Sequence, residues 1–354
     1  MFYDDSDIKV LKKLKNQTIL ITGATGFIGY YLMQLLLDFK SKEKIHFSIY
    51  VACRDINKAK NLFYNKDEFQ ELKYIEYNFE TPLEEKIKEE VNYIVHLAAP
   101  ARSDVFLSKP ASSFNTIVQG TSRILNFAHE KNTKMTVYCS SSTVYGNLCR
   151  ESISEKMYGS IDFTDYHNVY AMGKMAAEQL CACYSKEHGV KIRVVRPSYI
   201  YGANTVNNDS SVWNYVLNKC ATGNDISMQN SGYIHRSLCY VKDVARAIVY
   251  VLLEDTFDNI FNITSDDSSI REFAETAVSV CKKSKLIFTG QQNISNEKTY
   301  YSNKNLCELG WKSMFNLSSG INDSINTINM TGGGIKYKLH KPSRKFSGGY
   351  YEAA

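Results

Sequence analysis

The sequence predicts an α/β protein in which a doubly wound parallel sheet carries a smaller lobe, interleaved with it toward the C-terminal end. Two observations predict this class. Short strand-like runs alternate with longer helical patterns across residues 1–197, and most of the runs are continuously apolar instead of alternating with polar residues. Strands that are covered by helices on both faces have this continuous pattern.

Strand-like runs rich in β-branched and aromatic residues mark the predicted sheet. The first six runs occupy residues 18–22, 47–53, 73–77, 93–99, 135–141 and 191–197. The rhythm then changes, because residues 204–232 are polar and rich in Asn and Ser. Regular patterns return further along the chain. They are helical patterns at 241–253, 270–281 and near 317–328, and a strand-like run at 259–264.

This organisation predicts three regions. Residues 1–197 form mainly the sheet domain, and residues 198–330 form mainly the smaller lobe, with 235–264 returning to the sheet. Residues 331–354 form a basic, glycine-rich tail that we expect to be flexible.

Composition excludes several classes of protein. The net charge of +5 is modest and the charges are mixed along the chain, so we expect no nucleic-acid partner. The nine cysteines include no CxxC pair and no His/Cys metal-ligand spacing, which favours reduced thiols and no metal site. Residues 1–17 lack the apolar centre of a signal peptide, and the longest apolar run, 30–37, is too short to span a bilayer. We therefore expect a soluble cytoplasmic protein without a membrane partner.

A glycine-rich turn joins the first strand to the helical pattern that follows it. Three glycines in a GxxGxxG spacing permit a tight turn, close approach of a pyrophosphate, and close packing of helix on strand. The N-terminus of the helix supplies free N–H groups and a favourable dipole for phosphates. The pattern predicts a Rossmann-type dinucleotide site, with a purely structural turn as the alternative. The residues expected to line it are Gly23, Thr25, Gly26, Phe27, Ile28 and Gly29.

The end of the second strand run bears on the choice of dinucleotide. Sites selective for NAD place an acid there against the ribose 2′-hydroxyl, whereas this chain has Arg54 followed by Asp55. A guanidinium pairs with a 2′-phosphate, so Arg54 favours NADP. Asp55 keeps NAD open, and a solvated charge pair at the start of a helix is the alternative interpretation.

Tyr170 and Lys174 lie one turn apart in a predicted helix and share one face of it. A nearby ammonium stabilises a phenolate and lowers the phenol pKa from its ordinary value of about 10, which suits an acid/base at neutral pH. The spacing alone is not informative, since Tyr215 and Lys219 share it. Context distinguishes the first pair, which follows the hydroxyl-rich strand end at 140–143 in a chain with a dinucleotide turn.

Five motifs along the chain occur in a characteristic order. They are TGATGFIG at 22–29, HLAA at 96–99, SSSTVYG at 140–146, YAMGK at 170–174 and RPSYIYG at 196–202. Together they resemble the extended short-chain dehydrogenase/reductases, in particular the branch that modifies nucleotide-activated sugars. The resemblance covers residues 17–325. It implies an enzyme with NADP or NAD as cofactor, a nucleotide-diphosphate sugar as substrate, a homodimer, and a role in cell-surface polysaccharide biosynthesis.

The resemblance also implies roles by position. Ser141 stands four residues before the Tyr of VYG and is implied to hold the reacting sugar oxygen. Tyr170 exchanges the proton of that oxygen, Lys174 also binds the nicotinamide ribose, and a hydride passes between the sugar carbon and the nicotinamide ring. Asn78 stands where the family usually has an Asp that contacts adenine. Further implied cofactor contacts are Ala98 and Pro197.

The resemblance extends to the substrate side of the site. Arg236 lies in RSLCYVKD, which is similar to a family block whose Arg grips the substrate diphosphate, as a guanidinium can do in a bidentate manner. A surface Arg before a buried helix is the alternative, and Asp243 is interpreted as a structural residue at the helix start. Ser142 and Thr143 occupy positions where family members that dehydrate or decarboxylate the sugar carry acids. Hydroxyls cannot serve elimination as acid and base near neutrality, so we expect an NDP-hexose epimerase or 4-ketoreductase acting at C4.

Two alternative functions stay open. A 4,6-dehydratase or an enzyme of the UDP-glucuronate decarboxylase type would follow if an acid from elsewhere, such as Glu151, reaches the sugar. A non-catalytic NAD(P)-binding sensor has no use for a proton-transferring Tyr, so the presence of Ser141, Tyr170 and Lys174 together argues against it.

A further departure from the family is Ile117, which stands where an Asn is common.

Overall fold

The computed structural model describes residues 2–63, 72–79, 82–148, 152–203, 211–229, 231–289 and 298–331. Its strands are β1 (Thr18–Thr22), β2 (Ser48–Cys53), β3 (Leu72–Glu76), β4 (Tyr93–His96), β5 (Met135–Cys139), β6 (Ile192–Pro197), β7 (Tyr199–Tyr201), β8 (Ile226–Met228), β9 (His235–Tyr240), β10 (Ile260–Ile263), β11 (Asp266–Ser269), β12 (Leu286–Phe288) and β13 (Lys298–Thr299). Its α-helices are α1 (Asp5–Leu11), α2 (Phe27–Glu43), α3 (Ile56–Phe63), α4 (Leu83–Lys86), α5 (Ser103–Ser108), α6 (Pro110–Glu130), α7 (Val169–His188), α8 (Val212–Ala221), α9 (Val241–Leu253), α10 (Ile270–Cys281), α11 (Lys304–Glu308) and α12 (Leu317–Met330).

The main sheet has the strand order β10-β6-β5-β4-β1-β2-β3, and every neighbouring pair in it is parallel. In chain order, β1, β2 and β3 extend toward one edge of the sheet, and β4, β5, β6 and β10 then extend toward the other edge. This reversal is the topological switch point of a doubly wound sheet. The predicted fold class is confirmed, because the six predicted runs and the run at 259–264 each overlap a strand of this sheet.

Both faces of the main sheet are buried, which explains its continuously apolar runs. Ile19 and Ile21 of β1 belong to the core formed with α2 and α9, whereas Leu20 between them belongs to the core formed with α6 and α7. Burial of an aliphatic side chain of this size stabilises the fold by about 1.5–3 kcal/mol. The sheet is therefore a rigid platform with helices on each side.

A second sheet builds the smaller lobe. β9 pairs with β11 in antiparallel orientation, and with β7 and β13 in parallel orientation. β8 and β12 form a separate parallel pair, and α8, α10 and α12 pack against one another. Within the range 235–264, β10 joins the main sheet but β9 does not, so the predicted return to the main sheet is limited to β10.

A buried ion-pair network fastens the N-terminal helix to α9. The Nε of Arg246 lies 2.7 Å from Oδ2 of Asp7 in α1, and its Nη1 lies 2.7 Å from Oδ1 of Asp243. The backbone N–H groups of Met314 and Phe315 also donate to the Asp243 carboxylate. Asp243 therefore has a structural role in joining three segments of the chain.

Apart from Thr331, the predicted tail at 331–354 lies outside the described residues. Across the part of the chain that the structure describes, no helix is both long enough and apolar enough to cross a membrane.

Candidate active site

The carboxyl ends of the parallel strands meet at one edge of the main sheet. In-register pairing sets the last residues of neighbouring strands side by side, for example Thr22 of β1 beside His96 of β4. Residues that end or follow these strands therefore share this edge, which is where open α/β sheets bind their ligands. The predicted site residues located there are Gly23, Arg54, Asn78, Ala98, Ser141 and Pro197.

The glycine-rich turn makes close contacts that only glycine permits. Gly23 has a φ of +73°, and a Cβ at this position would lie 2.7 Å from the backbone nitrogen of Ala98. A Cβ at Gly29 would lie 2.2 Å from the carbonyl oxygen of Gly23, so glycine lets α2 pack closely on the turn. The other predicted residues, Thr25, Phe27 and Ile28, are half-buried beside it.

The helix end at this turn suits an anionic group. Gly26 is the N-cap of α2 and donates its own N–H to the carbonyl of Gly23 at 2.9 Å. Because Gly26 has no side chain, it cannot cap the N–H groups of the first helical turn. Those N–H groups and the helix dipole therefore point toward the carboxyl edge of the sheet, as a dinucleotide pyrophosphate requires.

A buried histidine lies beneath the turn. His96 is 2% exposed, and its Nδ1 lies 2.7 Å from Oγ1 of Thr22, which also accepts the N–H of Ala98 at 3.3 Å. Its Nε2 lies 3.5 Å from Oγ1 of Thr121. Burial, together with the positive charge of Lys174, lowers the pKa of His96 to about 3. His96 is therefore a neutral imidazole that supports the turn through Thr22.

The ends of β2 and β3 lie next along this edge. The Oδ1 of Asp55 accepts the backbone N–H of Lys58 at 2.8 Å, so this carboxylate caps the start of α3. Arg54 and Asn78 are both exposed. Of the two charges considered for the ribose, Asp55 is thus engaged with the helix, while Arg54 is presented to solvent at the strand end.

Lys174 ties helix α7 to the tip of β5. The side chain is buried, with 3% exposed, and its Nζ donates to the carbonyl oxygen of Cys139, the last residue of β5, at 2.6 Å. The same nitrogen lies 4.9 Å from the ring centre of Tyr138 and 5.8 Å from that of Tyr170. Burial lowers the pKa of Lys174 from its ordinary value. The ammonium of Lys174 therefore lies beside the phenol ring of Tyr170, as their spacing predicts.

The ring of Tyr170 also contacts α5. Phe106 stacks on it, with ring centroids 5.2 Å apart and planes 15° from parallel. Gly173 lies between Tyr170 and Lys174 in α7. A Cβ at Gly173 would lie 3.0 Å from Cδ1 of Ile117 in α6. Ile117 thus packs against α7 at the position where an Asn is common in the family. Asn115 is exposed and does not replace it.

Hydroxyl groups cluster at the tip of β5. Ser141 is half-buried and precedes a short helical turn, Ser142–Tyr145. Its Oγ accepts the backbone N–H of Thr143 at 3.2 Å and the hydroxyl of Thr143 at 3.1 Å. Ser141 and Thr143 therefore form a hydroxyl pair two residues beyond the carbonyl that binds Lys174.

Tyr301 of the smaller lobe contacts this tip. Ser142 is buried, and its hydroxyl is one of the groups that act to lower the pKa of the Tyr301 phenol. The Tyr301 ring stacks on Tyr145 with centroids 5.4 Å apart, and its backbone N–H donates to Oγ of Ser237 at 3.0 Å. Burial raises the pKa of Tyr301, and the nearby charge of Arg236 acts in the opposite direction. A neutral phenol thus bridges the strand tip and the strand that carries Arg236.

Two carboxylates close to this region are engaged in structural contacts. Oε1 of Glu155 accepts the backbone N–H of Asn262 at 2.9 Å, and burial raises the pKa of Glu155. Oε1 of Glu178 accepts a hydrogen bond from Nε of Arg196 at 2.9 Å. Glu151, which was considered as an acid for the sugar, lies outside the described residues.

The sequence did not indicate three residues that the structure brings to the site. Phe106 and Tyr301 are far from the motifs in sequence, and no local pattern distinguishes them from core aromatics. His96 belongs to the HLAA motif, but only the fold reveals its contact with Thr22. These three residues position the groups around them and are not identified as catalytic residues.

Comparisons with known proteins agree with this geometry. Residues 19–264 match the sequence profile described as the NAD dependent epimerase/dehydratase family. UDP-glucuronic acid decarboxylase 6 from Arabidopsis thaliana is 28% identical over 267 residues, or 75% of each chain.

Solved structures share the fold. UDP-glucose 4-epimerase from Thermotoga maritima has a TM-score of 0.72 and 19% identity, covering 89% of this chain and 99% of that one. UDP-glucuronic acid 4-epimerase from Bacillus cereus, solved with NAD, has a TM-score of 0.73 at 19% identity, with the same coverage. Since the family profile spans more than half of the sequence, this chain belongs to the NAD dependent epimerase/dehydratase family.

Proposed function

We propose that this chain is a nucleotide-sugar epimerase or 4-ketoreductase that transfers a hydride at sugar C4. The observation that carries the proposal is the contact of Lys174 with the Cys139 carbonyl, which fixes helix α7 against the hydroxyl-bearing tip of β5. Tyr170 then shares one small region with Ser141, on an edge of the sheet that also has the glycine-rich turn. In this proposal residues 1–197 mainly bind the dinucleotide and residues 198–330 mainly bind the sugar nucleotide.

The glycine-rich turn fits a dinucleotide cofactor, NADP or NAD. The close packing at Gly23 and Gly29 brings the uncapped start of α2 to the sheet edge, where it would hold the pyrophosphate. Arg54 would meet a ribose phosphate, and Asn78, Ala98 and Pro197 would line the remainder of the site. When bound, the nicotinamide ring accepts a hydride from a carbon or returns one to it.

Tyr170 and Lys174 supply the proton chemistry in this proposal. The phenol of Tyr170 removes the proton of the sugar 4-hydroxyl in the oxidation direction and returns it in the reduction direction. The ammonium of Lys174 favours the phenolate form because an opposite charge is nearby. Ser141 donates a hydrogen bond to the reacting oxygen, and the Thr143 hydroxyl, 3.1 Å from it, orients the Ser141 hydroxyl. Positioned proton transfer of this kind contributes about 10²- to 10⁴-fold to the rate.

The groups around the sugar favour chemistry at a single carbon. Dehydration needs a base at C5 and an acid at C6, but Ser142 and Thr143 offer hydroxyls at the positions where related enzymes carry acids. Ser142 is also buried, with 7% exposed. Arg236, in the strand beyond Tyr301, would pair with the substrate diphosphate in a bidentate manner.

A second candidate is a decarboxylase of the UDP-glucuronate type. The names of similar proteins favour it, since UDP-glucuronic acid decarboxylase 6 is 28% identical to this chain. A uronate oxidised at C4 has a ketone β to its carboxylate, so carbon dioxide can leave without a protein base at C5. The same Ser141, Tyr170 and Lys174 would serve this reaction, and only the fate of the oxidised sugar differs.

Mass spectrometry of the purified protein and its products separates these functions. The protein is tested for retained cofactor and then supplied with UDP-, dTDP-, GDP- and CDP-sugars, their uronates and their 4-keto derivatives. Conversion without a mass change, with NAD retained, identifies an epimerase, and gain of two hydrogens with consumption of NADPH identifies a 4-ketoreductase. Loss of carbon dioxide or of water would instead assign the decarboxylase or the dehydratase. Tight dinucleotide binding with no conversion of any sugar would identify a sensor and overturn the proposal.

We further propose a cytoplasmic homodimer that serves cell-surface polysaccharide biosynthesis. The family resemblance alone supports this proposal. Light scattering coupled to size-exclusion chromatography tests the dimer, and loss of surface polysaccharide on deletion of the encoding gene tests the role.

A further inference from the structure

Two histidine rings meet where α6 and α7 end. His129 is in the last turn of α6, and His188 is the last residue of α7. Their ring centroids lie 4.7 Å apart, with the ring planes 38° from parallel. Because α6 and α7 lead back to the starts of the parallel strands β5 and β6, the pair lies at the amino edge of the main sheet. About 27 Å of helix separates it from Tyr170 at the start of α7.

Contacts along the seam between the two helices hold this pair in place. One turn before His188, the Tyr184 hydroxyl donates to Oδ1 of Asn126 in α6 at 2.8 Å and lies 3.3 Å from the hydroxyl oxygen of Ser122. The Tyr184 ring also contacts the His188 ring, with centroids 5.2 Å apart. Gly189, with a φ of +69°, ends α7 directly after His188. Sliding one helix along the other would break these contacts, so the fold fixes the separation of the two histidine backbones.

The geometry of the pair suits a metal cation. Imidazole nitrogens are ligands of Zn²⁺, Ni²⁺ and Cu²⁺, and lie about 2.0–2.1 Å from zinc. Two rings bound to one metal at neighbouring coordination positions therefore have centres about 4.5–5.2 Å apart, which includes the observed 4.7 Å. Both side chains are exposed, so the rings can turn until one nitrogen of each faces the same point. Both also lie at helix C-terminal ends, where the helix dipoles favour a cation.

The number of ligands defines which cations fit. Among the described residues, no group of three or more His, Cys, Asp or Glu side chains could hold a metal ion, so the protein offers two ligands here and water would fill the other positions. Two nitrogens do not suit Mg²⁺ or Ca²⁺, which need several oxygen ligands. The spacing of residues in the sequence did not indicate this site, because only the packing of α6 on α7 brings the two histidines together.

We propose that His129 and His188 form a two-histidine site for a divalent transition metal of the Ni²⁺, Cu²⁺ and Zn²⁺ class, which links the ends of α6 and α7. One unprotonated nitrogen of each ring would bind the metal. Because the ligands stand on separate helices, the folded chain binds the metal more tightly than the unfolded chain, and the metal stabilises the fold. This inference is independent of the proposed function.

Calorimetric titration of the full-length protein, without a polyhistidine tag, tests this proposal with Ni²⁺. We expect one Ni²⁺ per chain. His129→Gln and His188→Gln should each weaken binding at least about tenfold, because either substitution removes one of the two ligands. His46→Gln, at another exposed position, is the matched control and should keep the wild-type affinity. Glutamine is a good helix former, and circular dichroism of each variant verifies its fold.

Urea unfolding gives a second readout that does not depend on turnover. Excess Ni²⁺ should raise the urea midpoint of wild type and of His46→Gln, and should leave the midpoints of His129→Gln and His188→Gln unchanged. Equal Ni²⁺ affinity in wild type and both of these variants would place the metal elsewhere and overturn the proposal. Weaker binding in only one of the two would also overturn it, since a single imidazole would then hold the metal without linking the helices.

Discussion

His96 gives a prediction whose size follows from its environment. Burial holds the pKa of this imidazole at about 3 in the folded chain, against about 6.5 for an exposed histidine. Between these values the unfolded chain binds a proton that the folded chain does not, so folded stability falls as the pH drops below about 6.5. Each pH unit corresponds to about 1.4 kcal/mol, so His96 alone lowers the free energy of unfolding by about 2 kcal/mol between pH 7 and pH 5.

The substitution His96→Asn removes this titration and keeps an oxygen that can accept a hydrogen bond from the hydroxyl of Thr22. The smaller side chain leaves a cavity that lowers the free energy of unfolding at every pH. The decrease in this free energy between pH 7 and pH 5 should, however, be about 2 kcal/mol smaller than in wild type. Urea unfolding at pH 5, 6 and 7, followed by tryptophan fluorescence, measures both proteins. His46→Asn is the control, because the side chain of His46 is exposed, and it should keep the wild-type slope. Equal slopes for wild type and His96→Asn would show that His96 does not cause the pH dependence.

Three other substitutions test separate parts of the account. Arg54→Gln should weaken NADP binding about tenfold or more and leave NAD binding within a factor of two or so, because only NADP has a 2′-phosphate to pair with; calorimetric titration measures both. Arg236→Gln should raise the KM for a nucleotide sugar by about 10- to 100-fold with little change in kcat, since a charge-assisted contact of about 1.5–3 kcal/mol to the diphosphate is lost; steady-state kinetics measures it. Asp7→Asn should lower the free energy of unfolding by about 3 kcal/mol, because it leaves the buried charge of Arg246 partly unpaired; urea unfolding measures it.

Each of these substitutions has a control at an exposed position. Arg102→Gln should not change the preference between the two dinucleotides, and equal losses of NAD and NADP in Arg54→Gln would argue against a phosphate contact. Lys304→Gln, at an exposed position in the smaller lobe, should keep the wild-type KM, and an unchanged KM in Arg236→Gln would remove Arg236 from the site. Asp5→Asn, exposed on α1, should be nearly neutral, whereas a similarly neutral Asp7→Asn would mean that the ion-pair network does not stabilise the fold.

The main sheet could be predicted from sequence because its strands are buried on both faces. Burial on both sides leaves a continuous apolar run, and each of the predicted runs overlaps one strand of the sheet. The helix at 241–253 was predicted with its observed bounds, since nearly all of its residues face the core. These elements are specified locally, by composition and periodicity.

The second sheet could not be predicted in the same way. β11 has the sequence DDSS, which has no strand propensity, and it is extended because it pairs with β9. β7, β8, β12 and β13 are only two or three residues long. Their existence depends on partners that lie far away in sequence, so no local pattern marks them.

The residues of the candidate site could be predicted where they belong to the five sequence motifs. They could not be predicted where the site depends on tertiary contacts. The spacing of Tyr170 and Lys174 could be interpreted, but the donation from Lys174 to the Cys139 carbonyl follows from the packing of α7 on β5. Likewise, Tyr301 stacks on Tyr145 only because the second sheet, through Ser237, holds the Tyr301 backbone beside the strand tip. Sequence motifs thus indicate the chemistry, whereas tertiary packing decides which side chains surround it.

Tyr170 is the residue proposed to exchange the proton of the reacting sugar oxygen. The most direct test compares turnover by wild type and Tyr170→Phe on a nucleotide sugar that the wild-type protein converts, with bound dinucleotide quantified in both. Tyr215→Phe is the matched control, because Tyr215 has the same spacing from a lysine, Lys219, on α8. We expect kcat to fall by about 10²- to 10⁴-fold in Tyr170→Phe alone, with dinucleotide binding retained. Unchanged turnover in Tyr170→Phe would contradict the account.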